Sequence, residues 1–516
     1  MKKGDHTPML NMRNIIVTLS CIFFSIHAFC SEKGILRWGS DANSGAPYVF
    51  RDAKDPSKII GLDVDIIEAV AEKLNMKPVF IQNQWDGLIP GLNAGNYDVV
   101  IDGLEIIDER EQAIRFSDPY YITYEQLVVN KENHEINELK DLKGKRVATL
   151  PASLAYKILE DTGDVQIKKY GEEINAYADL ASGERLDAVL LDAPIAQYYA
   201  KHNAKLKFVG PNIGYMKYGI AFKQDNNALR IKVNKALNIL IKEGKIQTII
   251  EKWGLWNPKM AEAWGVSVEP KTEAVGYKEY LRSMNLERTF IDKLKLYVDF
   301  FPLLAKGAVR TLEISMLAMV VAVVFGLFIA LIRLYAHPVL SKLALTYVEI
   351  IRGTPLLIQL YLIFYGLPNL GIKFEPYVAA VIGLGMNYAA SEAENYRAGI
   401  SSIPHSQMDA AFALGMSRLE ALRHIVIPQA MRVVIPPVTN DFIALIKDSS
   451  LVSVITLIEL TTVYGQLAST YFDYLGIGLL TAAMYFLIGL PFARLSRMAE
   501  KYYSVNNKKQ LKGVQS

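Results

Sequence analysis

Two carboxylates, Glu392 and Glu394, stand with Asn387 inside a largely apolar stretch running from about Tyr377 towards Arg397. Carboxylates are costly in hydrocarbon, and where they occur they mark a solute pathway or a paired internal contact. Glu394 is a pathway candidate on this ground, and Asn387, in the same stretch, is taken as a candidate with it. The alternative for Glu394 is interfacial exposure or pairing with Arg397. Lys447 and Asp448, between two further apolar runs, are expected to pair with each other. Other chemistries are thinly supplied. Cysteine occurs only as Cys21 and Cys30, which excludes a disulfide scaffold and a Cys-rich metal site. The seven histidines are scattered and suggest no nucleophilic triad. The phosphate-loop pattern Gly-x-x-x-x-Gly-Lys-Ser/Thr does not occur, so ATP hydrolysis by that route must come from another chain. No cofactor and no metal is expected.

The elements that must hold these residues divide by composition. The 516 residues carry 56 Lys plus Arg against 53 Asp plus Glu, a net charge of +3 that argues against a nucleic-acid binder. A hydrophobic share of 51% with 21% charged residues points to a soluble part joined to a membrane part. Residues 1–30 have a basic flank (Lys2, Lys3, Arg13), a short apolar core and small residues at Ser25 and Ala28. They read as a secretory signal or, alternatively, an uncleaved anchor. Residues 34–257 alternate short apolar runs with amphipathic stretches. Asp98–Ile101 and Ala188–Leu191 read as buried strands, while Val64, Ile67, Val70, Ala71 and Leu74 mark one helical face. This pattern predicts an α/β unit with a largely parallel sheet, large enough for two lobes. Residues 258–296 read as a linker ending in an amphipathic helix (Phe290, Leu294, Tyr297, Val298), either on the membrane surface or solvated.

Residues 297–503 read as an all-α membrane domain. Ile314–Ile332, Gly353–Leu370 and Tyr474–Ala493 contain no charged residue, and each suits a ~30 Å hydrocarbon core. Two weaker spans, from about Tyr377 and about Val433, bring the expectation to five, with Ser449–Leu460 a short partial segment. Basic residues at Arg494, Arg497 and Lys501, and at Arg397, Arg418, Arg423 and Arg432, place the tail (504–516) and one internal loop in the cytoplasm. Five spans then put residue 300 outside, with the exported unit. The basic residues Arg288, Lys293, Lys295, Lys306 and Arg310 run against that orientation.

Gly61-Leu62-Asp63-Val64-Asp65, then Trp85-Asp86-Gly87-Leu88-Ile89-Pro90-Gly91-Leu92, Arg110 and Phe116-Ser117-Asp118-Pro119-Tyr120 resemble, in order, the polar amino-acid family of periplasmic solute-binding proteins. The resemblance implies two α/β lobes joined by a two-strand hinge with an amino acid between them. It implies Arg110 as the planar fork for the ligand carboxylate, a role that guanidinium geometry suits. It further implies Ser153 as a hydroxyl donor, Asp192 as the partner of the ligand ammonium, Trp85 as an aromatic wall and Asp41 as a reader of the ligand side chain. Gly103 and Glu105 fall within the same site. Asp192 as a helix N-cap and Trp85 as ordinary core are the structural alternatives. The sequence departs from the family at Leu150 and Ala152 (Gln and Gly there), at Gly45 (an aromatic there), and at Glu105 (Ser or Thr there). Glu105 would attract a cationic ligand group, pair with Arg110, or face solvent.

The membrane part resembles permeases of the polar amino-acid ABC type. Pro302–Gly307 with Thr311-Leu312, and Arg352-Gly353-Thr354-Pro355-Leu356-Leu357, carry the likeness. The family's cytoplasmic coupling loop matches Asp409-Ala410-Ala411, Gly415 and Ile425-Val426-Ile427-Pro428, with Asp for Glu and Ile427 for Leu. The small residues Ala410, Ala411 and Gly415 allow a partner to approach closely. The resemblance implies an importer subunit, not an enzyme, in the bacterial inner membrane. Its expected partners are an amino-acid ligand, a cytoplasmic ATP-binding-cassette ATPase dimer, membrane lipid, and a second permease copy as a homodimer or heterodimer. A ligand-gated channel of the glutamate-receptor type, a membrane sensor and an exported enzyme are the rivals. The channel would interrupt the binding unit between lobes and carry a filter motif; the sensor would need a larger output domain.

Overall fold

The computed structural model describes residues 34–43, 45–284, 290–471 and 473–513. The segment read as a signal or anchor lies outside them, as do Cys21 and Cys30.

Two five-stranded sheets build the first half. In one, strand Ile35–Ser40 pairs in parallel with Lys77–Gln82 on one side and Val99–Val100 on the other, and Ala221–Lys223 and Ile114–Phe116 follow antiparallel. In the other, Ala188–Asp192 pairs in parallel with Arg146–Thr149 and antiparallel with Tyr121–Asn130, which in turn pairs with Leu206–Tyr218. The expected largely parallel sheet is therefore a pair of mixed sheets. The chain leaves the first lobe after Phe116 and returns before Ala221, and these crossing segments enter each sheet against its parallel strands. The anticipated helical face is the buried side of helix Leu62–Lys73, with Val64, Ile67, Val70 and Ala71 in the core.

Residues expected to be a linker fold onto this half. Helix Pro258–Trp264 is N-capped by Asn257, whose side chain accepts from the Lys259 and Met260 amides. Helix Val275–Met284 buries Tyr280 against Phe50 and Tyr198, with ring centroids 6.0 and 4.7 Å apart. The amphipathic helix expected before residue 297 is the first part of one continuous helix, Phe290–Tyr335. Leu294 and Val298 are exposed on it, while Tyr297 turns to Asp473.

The second half is helical. Among the described residues, Ile291–Tyr335 and Tyr474–Met498 are long and apolar enough to cross a membrane. Pro338–Gly353 and Leu356–Leu370 pass that test only together, bent by 107°. Gly353–Leu370 is thus the second arm of a bent pair and not a straight span. The bend falls at Thr354-Pro355: proline lacks an N–H and pushes the preceding residue out of the helical region, and Thr354 is extended at φ −117°, ψ 143°. Gln359 closes the break by donating to the carbonyls of Ile351 (2.8 Å) and Thr354 (3.1 Å). Helices Pro376–Ser401 and Ile427–Asp448 are of spanning length but more polar. Pro376–Ser401 lies along Phe290–Tyr335 at close range. A Cβ on Gly326 would meet the Glu392 Cβ at 2.6 Å, and one on Gly385 would meet Val321 at 2.7 Å. Small residues at such crossings let helix backbones approach where no hydrophobic effect drives them together.

The short segment after Ser449 is a 3-10 turn, Ser449–Ile455, followed by a helix, Leu460–Tyr471, that hydropathy did not announce. Glu459 caps this helix by accepting from the Thr461 and Thr462 amides, both at 2.9 Å. Asp448 does not pair with Lys447 as expected; it accepts from Tyr388 at 2.7 Å.

Candidate functional site: an acidic interlobe cleft

The cleft between the lobes is narrow, with room for little more than a water molecule inside its walls. Tyr48, Trp85, Gly103, Glu105, Ser153, Glu173 and Asp192 are among its lining residues, none of which is basic. Gly103 sits at φ +59°, and a Cβ there would meet the Tyr48 ring at 2.8 Å, so the close turn requires glycine. Its N–H donates to Asp63 at 2.7 Å. Burial pushes the Asp63 carboxyl up to about 7.

Arg110 and Glu105 form a buried ion pair. Arg110 also donates to the Glu105 carbonyl (3.1 Å) and the Ala152 carbonyl (2.8 Å), and stacks 5.3 Å from the Trp85 ring centre. The second oxygen of Glu105 accepts from the Leu154 amide at 3.2 Å, at the start of helix Leu154–Thr162. Of the three placements open to Glu105, the structure shows pairing with Arg110, and Arg110 itself does not line the cleft. Ser153 lines it as the N-cap of that helix, accepting from the Tyr156 amide and donating to the Leu150 carbonyl. Asp192 accepts from Tyr48 and Tyr218. Burial first, then the nearby Glu105 carboxylate, push Asp192 up to about 7.

Asp41 lies behind the cleft and does not line it. Its carboxylate accepts from the Asn43 amide, the Gln82 side chain and the Trp85 amide, each at 2.9 Å. It therefore fixes the turn that presents Trp85. Three acids were missed by the sequence reading: Asp102, Glu125 and Glu173. Asp102 accepts from Ser40 at 2.5 Å. Glu125, fully buried in strand Tyr121–Asn130, lies with Glu105 and Asp192 in a cluster whose carboxylate oxygens are within 4.8 Å of one another. An acid interrupting the apolar run of a central strand was the available signal.

Gln466, on helix Leu460–Tyr471, joins the two halves: it accepts from Arg51 and donates to Gln82 at 3.0 Å. Tyr365 lies 3.0 Å from Asn83, and Tyr471 donates to the Ala53 carbonyl at 3.0 Å. In the helical half, Asn387 donates to Gln359 at 3.0 Å and so braces the bend. Glu394 pairs with both Arg333 and Arg397.

Helix His405–Ala413 ends at Gly415, at φ +81°, and the chain restarts at Arg418 behind a capping box between Ser417 and Glu420. Asp409 and Ala410 are exposed and Ala411 is buried; Ile425 and Pro428 sit in the π-turn and helix that follow. Phe412, Leu414 and Leu419 project outward, Leu414 with 81% of its surface exposed.

A two-lobe binding domain seated on a helical membrane domain defines a binding-protein-dependent permease with its own receptor. Residues 36–255 match bacterial extracellular solute-binding proteins, family 3, and residues 322–504 match the binding-protein-dependent transport system inner membrane component. The probable amino-acid ABC transporter permease protein YckA of Bacillus subtilis (strain 168) is 37% identical over 220 residues, 43% of this chain and 97% of that protein. The L-cystine transport system permease protein TcyB of the same organism is 35% identical over 209 residues, 40% of this chain and 89% of that one. A solved ancestral arginine-binding protein bound to glutamine is 38% identical, with a TM-score of 0.41, covering 43% of this chain and 99% of that one. The chain belongs to the amino-acid ABC transporter permease family, with a family 3 solute-binding domain fused ahead of the permease. It is a multi-pass inner-membrane transport component and not an enzyme.

Proposed function

We propose that the chain captures a small, positively charged solute of the amino-acid class on the periplasmic or extracellular side and passes it to its own permease. A separate ATP-binding-cassette ATPase dimer drives the cycle from the cytoplasm, docking on the apolar tip at Phe412, Leu414 and Leu419. A second copy of the chain, or a related permease, completes the pathway. The domain limits follow the composition: binding over 34–257, a connecting segment over 258–296 and the permease over 297–503. Cleft closure shifts the population of the binding domain towards the form that engages the permease.

The observation that carries this reading is the Arg51–Gln466–Gln82 junction. It ties the strand leading to the Trp85 turn to a helix of the permease within one chain. Gln82 also holds Asp41, and Asp41 holds the Trp85 amide, so one polar relay runs from the cleft wall to the membrane domain. The test is reconstitution of the full chain in liposomes with an ATP-binding-cassette subunit. Ligand-stimulated ATP hydrolysis with solute uptake is expected. Ligand-gated ion conductance without ATP would favour the channel instead.

A further inference from the structure

The Arg110 fork and the amide at the start of helix Leu154–Thr162 are the groups that suit a ligand carboxylate, and both are already taken. Glu105 accepts from Arg110 through one oxygen and from the Leu154 amide through the other. An internal side chain thus occupies the place of the ligand's carboxylate. Displacing it would leave Glu105 buried beside Asp192 and Glu125 without its cation, a costly arrangement.

The rest of the cleft is short of positive charge. Neither carboxylate oxygen of Glu125 makes a well-formed hydrogen bond, the Ala155 amide offering only a weak one, although the residue is fully buried. Glu173, which lines the cleft and is 3% exposed, leaves its Oε2 unpartnered as well. Burial holds both carboxyls well above the ordinary carboxylate range. Buried acids of this kind are satisfied when a cation enters. Trp85 and Tyr48 are the aromatic residues of the cleft lining, and aromatic rings favour a neighbouring alkylammonium or guanidinium.

We infer that the cleft takes an organic dication without a free carboxylate: a diamine, or the decarboxylated amine of a basic amino acid. One cationic group meets Glu105 and Asp192 at the cleft wall, with Glu125 directly behind them, and the other faces Glu173. The inference rests on the importer reading and narrows its cargo. A bare divalent metal fits less well, because the Arg110 charge is held against Glu105 within the same cluster.

The test is calorimetric titration of the purified full chain in detergent with 1,4-diaminobutane, 1,5-diaminopentane and agmatine. Ornithine, lysine and arginine are the matched parents, and glutamine and manganese chloride the remaining probes. Each favoured amine is expected to bind at least about tenfold tighter than its parent amino acid. Glu125→Gln should weaken the amine at least about tenfold. Glu105→Ser frees Arg110 and should turn the preference towards the parent. Equal or tighter binding of the parents by the unmodified chain overturns the inference, as does binding of manganese alone or of no probe. The ligand series needs no variant, so misfolding of a variant does not blunt it. Parents binding without amines leaves the importer standing, whereas amine binding that never stimulates the ATPase would fail the importer and keep the inference.

Discussion

Gln466 and Gln82 are hydrogen-bonded across the junction of the two halves, Nε2 to Oε1 at 3.0 Å, and both side chains are buried. The same Gln466 oxygen accepts from Arg51, whose guanidinium is also buried. Arg51 keeps the Pro56 carbonyl at 2.7 Å but has no other side-chain partner among the hydrogen bonds of the described residues.

Gln466→Ala should therefore loosen the hold of the permease on residues 50–60 of the binding domain without unfolding either, while Tyr365 and Tyr471 keep their bonds across the junction. Leaving a buried polar group short of an acceptor costs about 1–3 kcal/mol, and a charged guanidinium more. Amide hydrogen exchange over residues 50–60 of the full chain should speed up markedly, while exchange in the sheet core at Val189–Leu191 stays slow. Unchanged protection at 50–60 would mean that Gln466 does not hold this segment.

The coupling tip gives a second prediction. Leu414 and Leu419 are 81% and 75% exposed. Replacing either with Asp should alter stability by less than about 0.5 kcal/mol, as for surface sites generally. Association with the ATPase and ligand-stimulated ATP hydrolysis should nonetheless be lost. Co-purification with the ATPase at wild-type yield would remove this surface from the mechanism.

The charge and hydropathy partition made the two halves legible, and the ordered motifs around Gly61, Trp85, Arg110 and Asp409 pointed to the family. Those motifs are local, and the chemistry at each depends on its own residues. What the sequence hid depends on contacts distant along the chain. Helix Leu460–Tyr471 is rich in Thr, Ser and Gln, so hydropathy passes over it: Gln466 faces polar groups of the binding domain, while the Thr and Ser hydroxyls bond within the helical half. The 107° bend was missed because Lys342, Glu349 and Arg352 in the arm before it set that arm apart from the charge-free run that begins at Gly353, although Thr354-Pro355 carried the signal. Glu125 comes near Glu105 and Asp192 only when the hinge strand and the two lobes are assembled. Asp41 was legible as an acid near the first strand, but its aim at the Trp85 amide was not.

The close crossing of Phe290–Tyr335 and Pro376–Ser401 predicts a sharp steric limit. Gly326→Val should cost about 1–3 kcal/mol, as overpacked sites do. Its new carbons would press on the Glu392 Cβ at 2.6 Å and the Ala389 carbonyl at 3.0 Å. Gly489 has open space around it and serves as the control, since Gly489→Val meets nothing within 4 Å. Thermal unfolding in detergent should separate the two variants. Equal midpoints would show that the helices give way.

The cleft acids set a pH dependence with a definite sign. Asp192 and Asp63 stand at about 7 and Asp41 at about 6 when folded, against 3.8 for an ordinary Asp, with burial the first cause in each. Between these values the folded state holds protons that the unfolded state has released, so the contribution of these three acids to stability falls as pH rises from about 4 to about 7. Asp187 works oppositely: its hydrogen bonds from Arg146 lower its pKa, and the stability it adds is lost only below the ordinary Asp range. All five tryptophans, Trp38, Trp85, Trp253, Trp256 and Trp264, lie in the binding half, so their fluorescence follows that half within the full chain. The ligand-free midpoint should drop over this window, and Asp192→Asn should shallow the slope. A cationic ligand reverses the trend, because it binds the ionised carboxylates and tightens as pH rises through about 7. A midpoint that stays flat or climbs from about pH 4 to about pH 7 would mean that these acids are already ionised in the empty cleft.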